Sequence, residues 1–244
     1  MEVNKIYHEN CLDTMERLED KVIDLTITSP PYNMNLRIRN GKYCSRQIVK
    51  EFSTKYDKFP DNLPIDDFFK LHSKILNELL RVSKIVFYNF QIVTGSKRAF
   101  FKLIGEFSED IKDIIIWDKV NGQPAMQSDV MNSQYEVILI LGDNPISRKF
   151  SNSNFKRGEM SNVCSIKRGK KISKKHGAIF PEELVDKIIK TFSNEGDLVY
   201  DPFMGSGTTA VVSKKLYRNY IGSEISKEYC DITNQRLLDL DGLF

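Results

Sequence analysis

Apolar residues along the chain follow two alternating patterns, one typical of strands and one typical of helices. Runs rich in β-branched residues predict strands at residues 22–28, 84–90, 111–117, 136–141, 198–201 and 219–224. Apolar residues that recur every three or four positions predict helices at residues 66–81, 181–192, 207–216 and 227–240. This alternation favours a doubly wound α/β fold, in which helices cover both faces of a mostly parallel sheet.

Two long stretches, residues 33–62 and 143–175, fit neither pattern. Each exceeds the usual length of a connection, so each is expected to be a functional loop, a lid or a recognition element.

The length of 244 residues lies within the range of one α/β domain, and 41% apolar residues suffice for a substantial core. We therefore expect a single catalytic domain over residues 1–244, with 143–175 as an inserted segment.

Membrane and metal-dependent classes are disfavoured by the same sequence. The longest apolar runs span residues 85–88, 114–117 and 137–141, far short of the roughly 20 residues of a membrane span. The first ten residues are polar and lack the apolar core of a secretory signal. Cysteines and histidines are scattered without metal-ligand spacing. We expect a cytoplasmic protein with no membrane partner and no metal site.

Charge is distributed unevenly along the chain. The 36 basic and 33 acidic residues give a net charge of only +3. Residues 144–176, however, hold ten basic residues and one acid, Glu159, which leaves 26 basic against 32 acidic residues elsewhere. Such a cluster favours a polyanionic partner, because phosphates relieve its self-repulsion. A solvated surface loop is the alternative interpretation.

A glycine-rich motif follows the predicted strand at residues 198–201 and begins a helix. Residues 201–210 read Asp-Pro-Phe-Met-Gly-Ser-Gly-Thr-Thr-Ala. Gly205 and Gly207 would let the backbone approach a ligand, and the helix offers unpaired amides. Glu224 lies 19 residues after Gly205, where a carboxylate can accept hydrogen bonds from ribose hydroxyls. The spacing also matches a dinucleotide fingerprint, whereas an ATP loop would need lysine at the position of Thr208. A tight turn without a ligand stays open as well.

A proline-rich motif follows the predicted strand at residues 22–28. Residues 28–33 read Thr-Ser-Pro-Pro-Tyr-Asn. Because prolines fix φ and lack an amide proton, the carbonyls of Ser29 and Pro30 can be held as acceptors for a donor on a substrate. The Ser29 hydroxyl can also accept, and Tyr32 offers a flat face for a planar ring. A simple proline turn that ends the strand is the alternative.

Together the two motifs resemble those of the amino-group DNA methyltransferases that use S-adenosylmethionine. Residues 28–32 resemble the family's catalytic motif and residues 201–209 its cofactor motif. The catalytic motif comes first with the basic segment between, which resembles the permuted β arrangement. Residues 176–181 resemble the segment that completes the cofactor pocket, and Trp117 with Glu136 fits the later sheet strands. The resemblance covers most of residues 1–240 and implies a seven-stranded methyltransferase-type sheet.

The resemblance also implies a set of site residues. It assigns the catalytic role to Ser29, Pro30, Pro31 and Tyr32. It assigns S-adenosylmethionine binding to Asp201, Pro202, Phe203, Gly205, Ser206, Gly207, Thr208, Thr209, Glu224 and Asn10. The sequence departs from the family at Glu9-Asn10, where relatives commonly have Gly-Asp.

The target atom is expected to be the exocyclic N4 of cytosine in duplex DNA. Ser29 stands where adenine-modifying members usually have Asp or Asn, and serine is more typical of members that methylate cytosine N4. An exocyclic amine is a weak nucleophile, so acceptors at Ser29 and Pro30 would localise its lone pair for direct in-line transfer. The base would flip out of the duplex first. Methylation of adenine N6 stays open. Attack through cysteine at cytosine C5 is disfavoured, because no cysteine follows a proline.

Other classes explain only part of these features. A nicotinamide-dependent oxidoreductase would use the glycine loop and leave residues 29–32 and the basic segment unused. A catalytically silent nucleic-acid binder would explain the charge alone, and an RNA or protein methyltransferase is a further variant. For the favoured function we expect residues 143–175 to grip duplex DNA. The resemblance leaves open a cognate restriction endonuclease and a homodimer as further partners.

Overall fold

The computed structural model describes residues 1–33, 62–93, 95–123, 128–169 and 180–241, and the backbone of three short strands between residues 37 and 52. The strands are β1 Lys5–Tyr7, β2 Ile23–Thr28, β3 Arg37–Arg39, β4 Lys42–Cys44, β5 Glu51–Phe52, β6 Ser83–Phe90, β7 Ile111–Gln123, β8 Ser133–Gly142, β9 Val163–Ser165, β10 Leu198–Asp201 and β11 Asn219–Ser223. The helices are α1 Cys11–Glu16, α2 Ile65–Val82, α3 Lys97–Glu106, α4 Glu182–Phe192, α5 Thr208–Lys215 and α6 Lys227–Asp241.

Eight of the strands form one sheet, in the order β1-β11-β10-β2-β6-β8-β7-β9. The pairs from β1 to β6 are parallel, β8 is antiparallel to β6 and β7, and β9 is parallel to β7. The expected doubly wound, mostly parallel α/β fold is thus confirmed. The expected count of seven strands was wrong, since the described residues place eight in this sheet, with β3, β4 and β5 in a separate sheet. The apolar pattern predicted the other six strands, whereas β1 and β9 span three residues each and are too short to show a periodic pattern.

Helices pack on both faces of the large sheet because its strands alternate their side chains between two apolar clusters. Along β6, Tyr88 belongs to the same cluster as Phe68 of α2 on one face, whereas the Phe87 ring lies 4.8 Å from that of Phe192 of α4 on the other. Adjacent positions on a strand point to opposite faces, so a continuous apolar run such as β6 is buried on both sides. No helix within the described ranges combines the length and apolarity that a bilayer span requires.

The strand directions define the sheet edge at which loops converge. Since β2 and β10 are parallel neighbours, the proline-rich and glycine-rich motifs both leave the sheet at its carboxyl edge. Strands β7 and β9 run in the same direction as β6, so the chain also leaves β9 at that edge. This is where ligands bind in open α/β sheets.

Candidate active site

One buried carboxylate joins the two motifs. Thr28 Oγ1 donates a hydrogen bond of 2.7 Å to Asp201 Oδ1, which also accepts from the Phe203 amide at 3.0 Å. Asp201 Oδ2 accepts from Thr209 Oγ1 at 2.7 Å. Burial raises the pKa of Asp201, and the Thr209 and Thr28 hydroxyls oppose that rise. Asp201 therefore fixes the strand ends and the start of α5 relative to one another.

The proline bend is rigid and mostly covered. Pro30 and Pro31 are buried, and Ser29 is half-buried with its Oγ 2.5 Å from the Tyr32 hydroxyl. Tyr32 is only 6% exposed, and its ring lies 5.9 Å from that of Phe90. The protein itself covers most of the predicted stacking face, so stacking of a base on Tyr32 stays a prediction.

Three further polar residues surround the bend, and sequence reasoning assigned none of them a role at the site. Asn89 Nδ2 lies 2.6 Å from Glu136 Oε2, which also accepts from the Tyr32 hydroxyl at 2.9 Å. Lys119 Nζ lies 3.1 Å from the other oxygen, Glu136 Oε1. We call these residues the Ser29 cluster: Ser29, Tyr32, Asn89, Lys119 and Glu136. In the sequence, Asn89, Lys119 and Glu136 each stand out only as a polar residue within or beside a predicted apolar strand, at a position that the sheet buries.

The two glycines of the cofactor motif serve different purposes. Both have positive φ, +53° at Gly205 and +83° at Gly207, a conformation that favours glycine. A Cβ on Gly207 would lie 2.4 Å from Thr233 Cγ2 in α6, so packing of α6 accounts for this glycine. A Cβ on Gly205 would have only the Phe203 carbonyl oxygen near it, at 3.8 Å. Gly205 therefore borders open space, and the expectation of a close ligand approach applies to it more directly than to Gly207.

Glu224 lies beside Gly205. Its carboxylate accepts from the amides of Gly205 and Ser226, both at 2.8 Å. Burial raises the pKa of Glu224, whereas these backbone donors oppose the rise. A carboxylate with two amide donors retains further lone pairs, so Glu224 can still accept from a pair of ribose hydroxyls.

Two other polar atoms test the fit of a cofactor at this loop. Thr208 Oγ1 is buried without a hydrogen-bond partner among the described residues, and a bound polar group would satisfy it. Asn10 caps α1, where its Oδ1 accepts from the Leu12 amide at 3.0 Å. Because β1 and β11 are parallel neighbours, Asn10 after β1 and Glu224 after β11 lie at the same edge of the sheet. The Thr208 hydroxyl, the Asn10 side chain and the Glu224 carboxylate together fit a polar cofactor that carries hydroxyl groups.

The remaining predicted residues of the loop vary in exposure. Pro202 is buried, Phe203 is half-buried, and Ser206 is 8% exposed. The Ser206 carbonyl accepts from Arg236 Nη1 of α6, which sequence reasoning missed. Arg236 also pairs with Glu182 of α4 at 2.8 Å, so it ties the loop to two helices.

The described part of the basic segment divides between opposite edges of the sheet. Lys112, near the start of β7, donates to the carbonyls of Ser147 and Lys149 at 2.8 and 3.1 Å. This part lies at the amino edge and is anchored by Phe150 against Phe192. After β9 the chain reaches the carboxyl edge, where Lys167 and Arg168 are exposed. Residues 170–179, which include His176 and the lysines at positions 170, 171, 174 and 175, lie outside the described residues.

Cysteines and metal ligands form no site in the described part of the chain. Cys11, Cys164 and Cys230 are buried and free of disulfides. Burial raises the pKa of the Cys11 thiol to about 12, so this thiol is not activated. No group of three His, Cys, Asp or Glu side chains in the described ranges could hold a metal ion.

Comparisons with known proteins converge on one group. A family model described as DNA methylase matches residues 23–235. The type II methyltransferase M1.MboII of Moraxella bovis is 29% identical and covers 99% of both chains. The orphan methyltransferase M.BamHII of Bacillus amyloliquefaciens is 63% identical over 67 residues, 28% of this chain and 25% of that one.

Solved structures share the fold. PvuII DNA methyltransferase, described as cytosine-N4-specific, superposes with a TM-score of 0.71 at 17% identity, covering 95% of this chain and 85% of that one. A structure described as the M1.HpyAVI–SAM complex gives a TM-score of 0.63 at 24% identity, covering 95% and 98%. These likenesses confirm the arrangement of strands and helices.

Proposed function

The chain belongs to the N6/N4 DNA methylase family and is an S-adenosylmethionine-dependent DNA methyltransferase, and from this premise we propose that it methylates the exocyclic N4 of cytosine in duplex DNA. The hydrogen bond from Thr28 to Asp201 is the observation that carries methyl transfer to a base at this site, and Ser29, where adenine-modifying members usually have Asp or Asn, supports cytosine as the target. The hydrogen bond holds the proline bend and the glycine loop side by side, so a base and a methyl donor can meet between them.

The glycine loop and Glu224 are the proposed cofactor site. S-adenosylmethionine supplies an electrophilic methyl group on a sulfonium centre. The open space at Gly205 and the unpartnered hydroxyl of Thr208 support binding here. Glu224 would accept hydrogen bonds from the ribose hydroxyls, while the hydrogen bonds from the Gly205 and Ser226 amides keep its carboxylate oriented. Asp201 would act indirectly, because its carboxylate already receives three donors from the protein.

Ser29 and Pro30 are the proposed acceptors for the target amino group. The lone pair of a nucleobase amine is delocalised into the ring, so the amine must be held by its hydrogens before it can attack. The Ser29 hydroxyl and the Pro30 carbonyl would accept those hydrogens and direct the lone pair towards the methyl group. Such acceptors bind more strongly as positive charge grows on nitrogen, and they need no covalent intermediate. Rotation of the target out of the duplex would precede this step.

The carboxyl edge is the proposed DNA-binding side. Lys167 and Arg168 are exposed there, on the same side as the proline bend. Their charges would neutralise DNA phosphates near the flipped base. Lys149 lies at the opposite edge, so within the described part of residues 143–175 we assign the grip on DNA to Lys167 and Arg168, which follow β9. A cognate restriction endonuclease and a homodimer stay predictions.

A methyl-transfer assay tests the target atom. The protein is incubated with S-adenosylmethionine carrying an isotopically labelled methyl group and with duplex DNA of mixed sequence, and the digested nucleosides are identified by mass. We expect labelled N4-methylcytosine, and a large loss of it in Ser29→Ala but not in Glu195→Gln, an exposed control. Labelled N6-methyladenine would overturn the cytosine assignment. Absence of label from every nucleoside would overturn the proposed function.

A further inference from the structure

We propose that Glu136, paired with Lys119, is a positioning residue that sets the direction of the Ser29 hydrogen bond through Tyr32. This inference rests on the proposed function, in which Ser29 must accept from the target amine. A hydroxyl can either donate or accept a hydrogen bond, so the distance between Ser29 and Tyr32 does not tell which of the two hydroxyls is the donor. The Ser29 cluster contains the charge that decides it.

The cluster contains a buried ion pair. Lys119 is 2% exposed and Glu136 is 7% exposed, and their charged atoms are 3.1 Å apart. A buried charge is tolerated only when it is paired and hydrogen-bonded. Glu136 meets this condition with Lys119 on Oε1 and with Tyr32 and Asn89 on Oε2. As an ionised carboxylate, Glu136 can only accept hydrogen bonds.

The donor in each hydrogen bond then follows from the number of protons that the Tyr32 and Ser29 hydroxyls carry. The phenol of Tyr32 has a single proton, and it is donated to Glu136 Oε2 at 2.9 Å. The 2.5 Å contact between the two hydroxyls must therefore use the proton of Ser29, which donates to the Tyr32 oxygen. The Asn89 amide has two protons, and its nearest acceptors are the Tyr32 hydroxyl at 2.5 Å and Glu136 Oε2 at 2.6 Å. Ser29 Oγ lies farther away, at 3.3 Å, so Asn89 leaves the lone pairs of Ser29 available.

With its own proton directed into the protein, Ser29 presents a lone pair towards the substrate. This is the state that an amino group with two hydrogens requires. Without the negative charge of Glu136, Tyr32 could donate to Ser29 instead. Ser29 would then be free to direct its proton at the amine, which repels the incoming N–H group. The buried pair would thus act on the chemical step and leave binding of the cofactor and of DNA unchanged.

Two substitutions separate this role from a structural one. Tyr32→Phe keeps the ring and removes the linking oxygen, and Glu136→Gln keeps the shape and removes the charge. Each should lower kcat about 10- to 100-fold, the loss of one charge-assisted hydrogen bond in the transition state. Dissociation constants for S-adenosylmethionine and for DNA should stay within about twofold of wild type. Tyr217→Phe and Glu195→Gln, at exposed positions, are the matched controls and should retain wild-type kcat.

The double variant provides the decisive readout. Since both residues act through one chain of hydrogen bonds, Tyr32→Phe with Glu136→Gln should lose no more activity than the worse single variant. Losses that multiply, or a kcat of either single variant near wild type, would overturn the inference. If Glu136→Gln fails to fold because Lys119 loses its partner, Tyr32→Phe decides alone, since it leaves the ion pair intact. Wild-type protein is assayed in parallel. If the proposed function is wrong, the wild-type protein itself transfers no methyl group; if only this inference is wrong, the wild-type protein is active and the variants do not behave as expected.

Discussion

Replacement of Thr28 by Val tests the junction between the two motifs. The side chain is fully buried, and its hydroxyl donates to Asp201 at 2.7 Å. Val keeps the branched shape that suits a strand and removes only this hydrogen bond. A hydrogen bond to a charged group contributes about 1.5–3 kcal/mol. Because Asp201 keeps two other donors, we expect a loss of about 1.5 kcal/mol in the free energy of unfolding, at the lower end of that range.

Thr26→Val is the matched control on the same strand. Thr26 is also fully buried, and its hydroxyl lies 2.7 Å from that of Ser83, a neutral pair that contributes about 0.5–1.5 kcal/mol. Denaturant unfolding measures both losses. For a chain of this length about 1.5 kcal/mol lowers the melting temperature by about 3–6 °C. Only Thr28→Val should also weaken binding of S-adenosylmethionine, measured by calorimetry, because Asp201 orients the loop through Phe203.

The pH dependence supplies a second check on Thr28→Val. Burial raises the pKa of Asp201 above its ordinary value, and the Thr28 hydroxyl opposes the rise. Removal of Thr28 therefore raises this pKa further. The stability associated with a raised pKa is present at low pH and is lost as pH rises through the folded pKa. The stability deficit of the variant should shrink when Asp201 is protonated. Equal effects of Thr28→Val and Thr26→Val on cofactor affinity would refute the proposed role of the junction.

Three further predictions follow from other parts of the structure. Lys167→Glu should weaken DNA binding and reduce the slope of log affinity against log salt by about one or two, whereas Lys149→Glu at the opposite edge should leave that slope unchanged. Equal slopes would remove Lys167 from the interface. Gly207→Ala should lower the melting temperature and cofactor affinity together, because its Cβ would overlap Thr233; a variant as stable as wild type would contradict the packing. Burial lowers the pKa of His72 to about 3, so wild-type stability should fall by about 1.4 kcal/mol per pH unit below about 6.5. His72→Gln should remove most of that acid dependence in denaturant titrations, and an unchanged slope would assign it to other groups.

The order of the main elements could be predicted from the sequence because their signals are local. Prolines after β2 and glycines after β10 mark where strands end, and apolar spacing locates α2 and α4. Each of these signals needs only neighbouring residues. The structure brings the two strand-end motifs to one sheet edge, since the parallel neighbours β2 and β10 carry their loops to the same side.

Short elements escaped prediction. Three-residue strands such as β1 and β9 offer no periodicity, and the six-residue helix α1 is shorter than two turns. Their existence depends on neighbours distant in the chain, as the pairing of Lys5 with Ile221 shows. The apolar pattern therefore predicted six of the eight strands in this sheet, and the family resemblance implied seven.

The Ser29 cluster was decided by the tertiary structure alone. Tyr32 and Glu136 lie 104 residues apart in the sequence, and each is an ordinary residue in its own segment. They meet because β8 inserts beside β6, two strands from the proline bend. The basic segment likewise reads as one charged stretch, yet Lys149 lies at the amino edge of the sheet and Lys167, after β9, at the carboxyl edge. Local patterns specify strands and turns, whereas the order of strands in the sheet determines which polar groups share a site, since the contacts that fix that order are long-range.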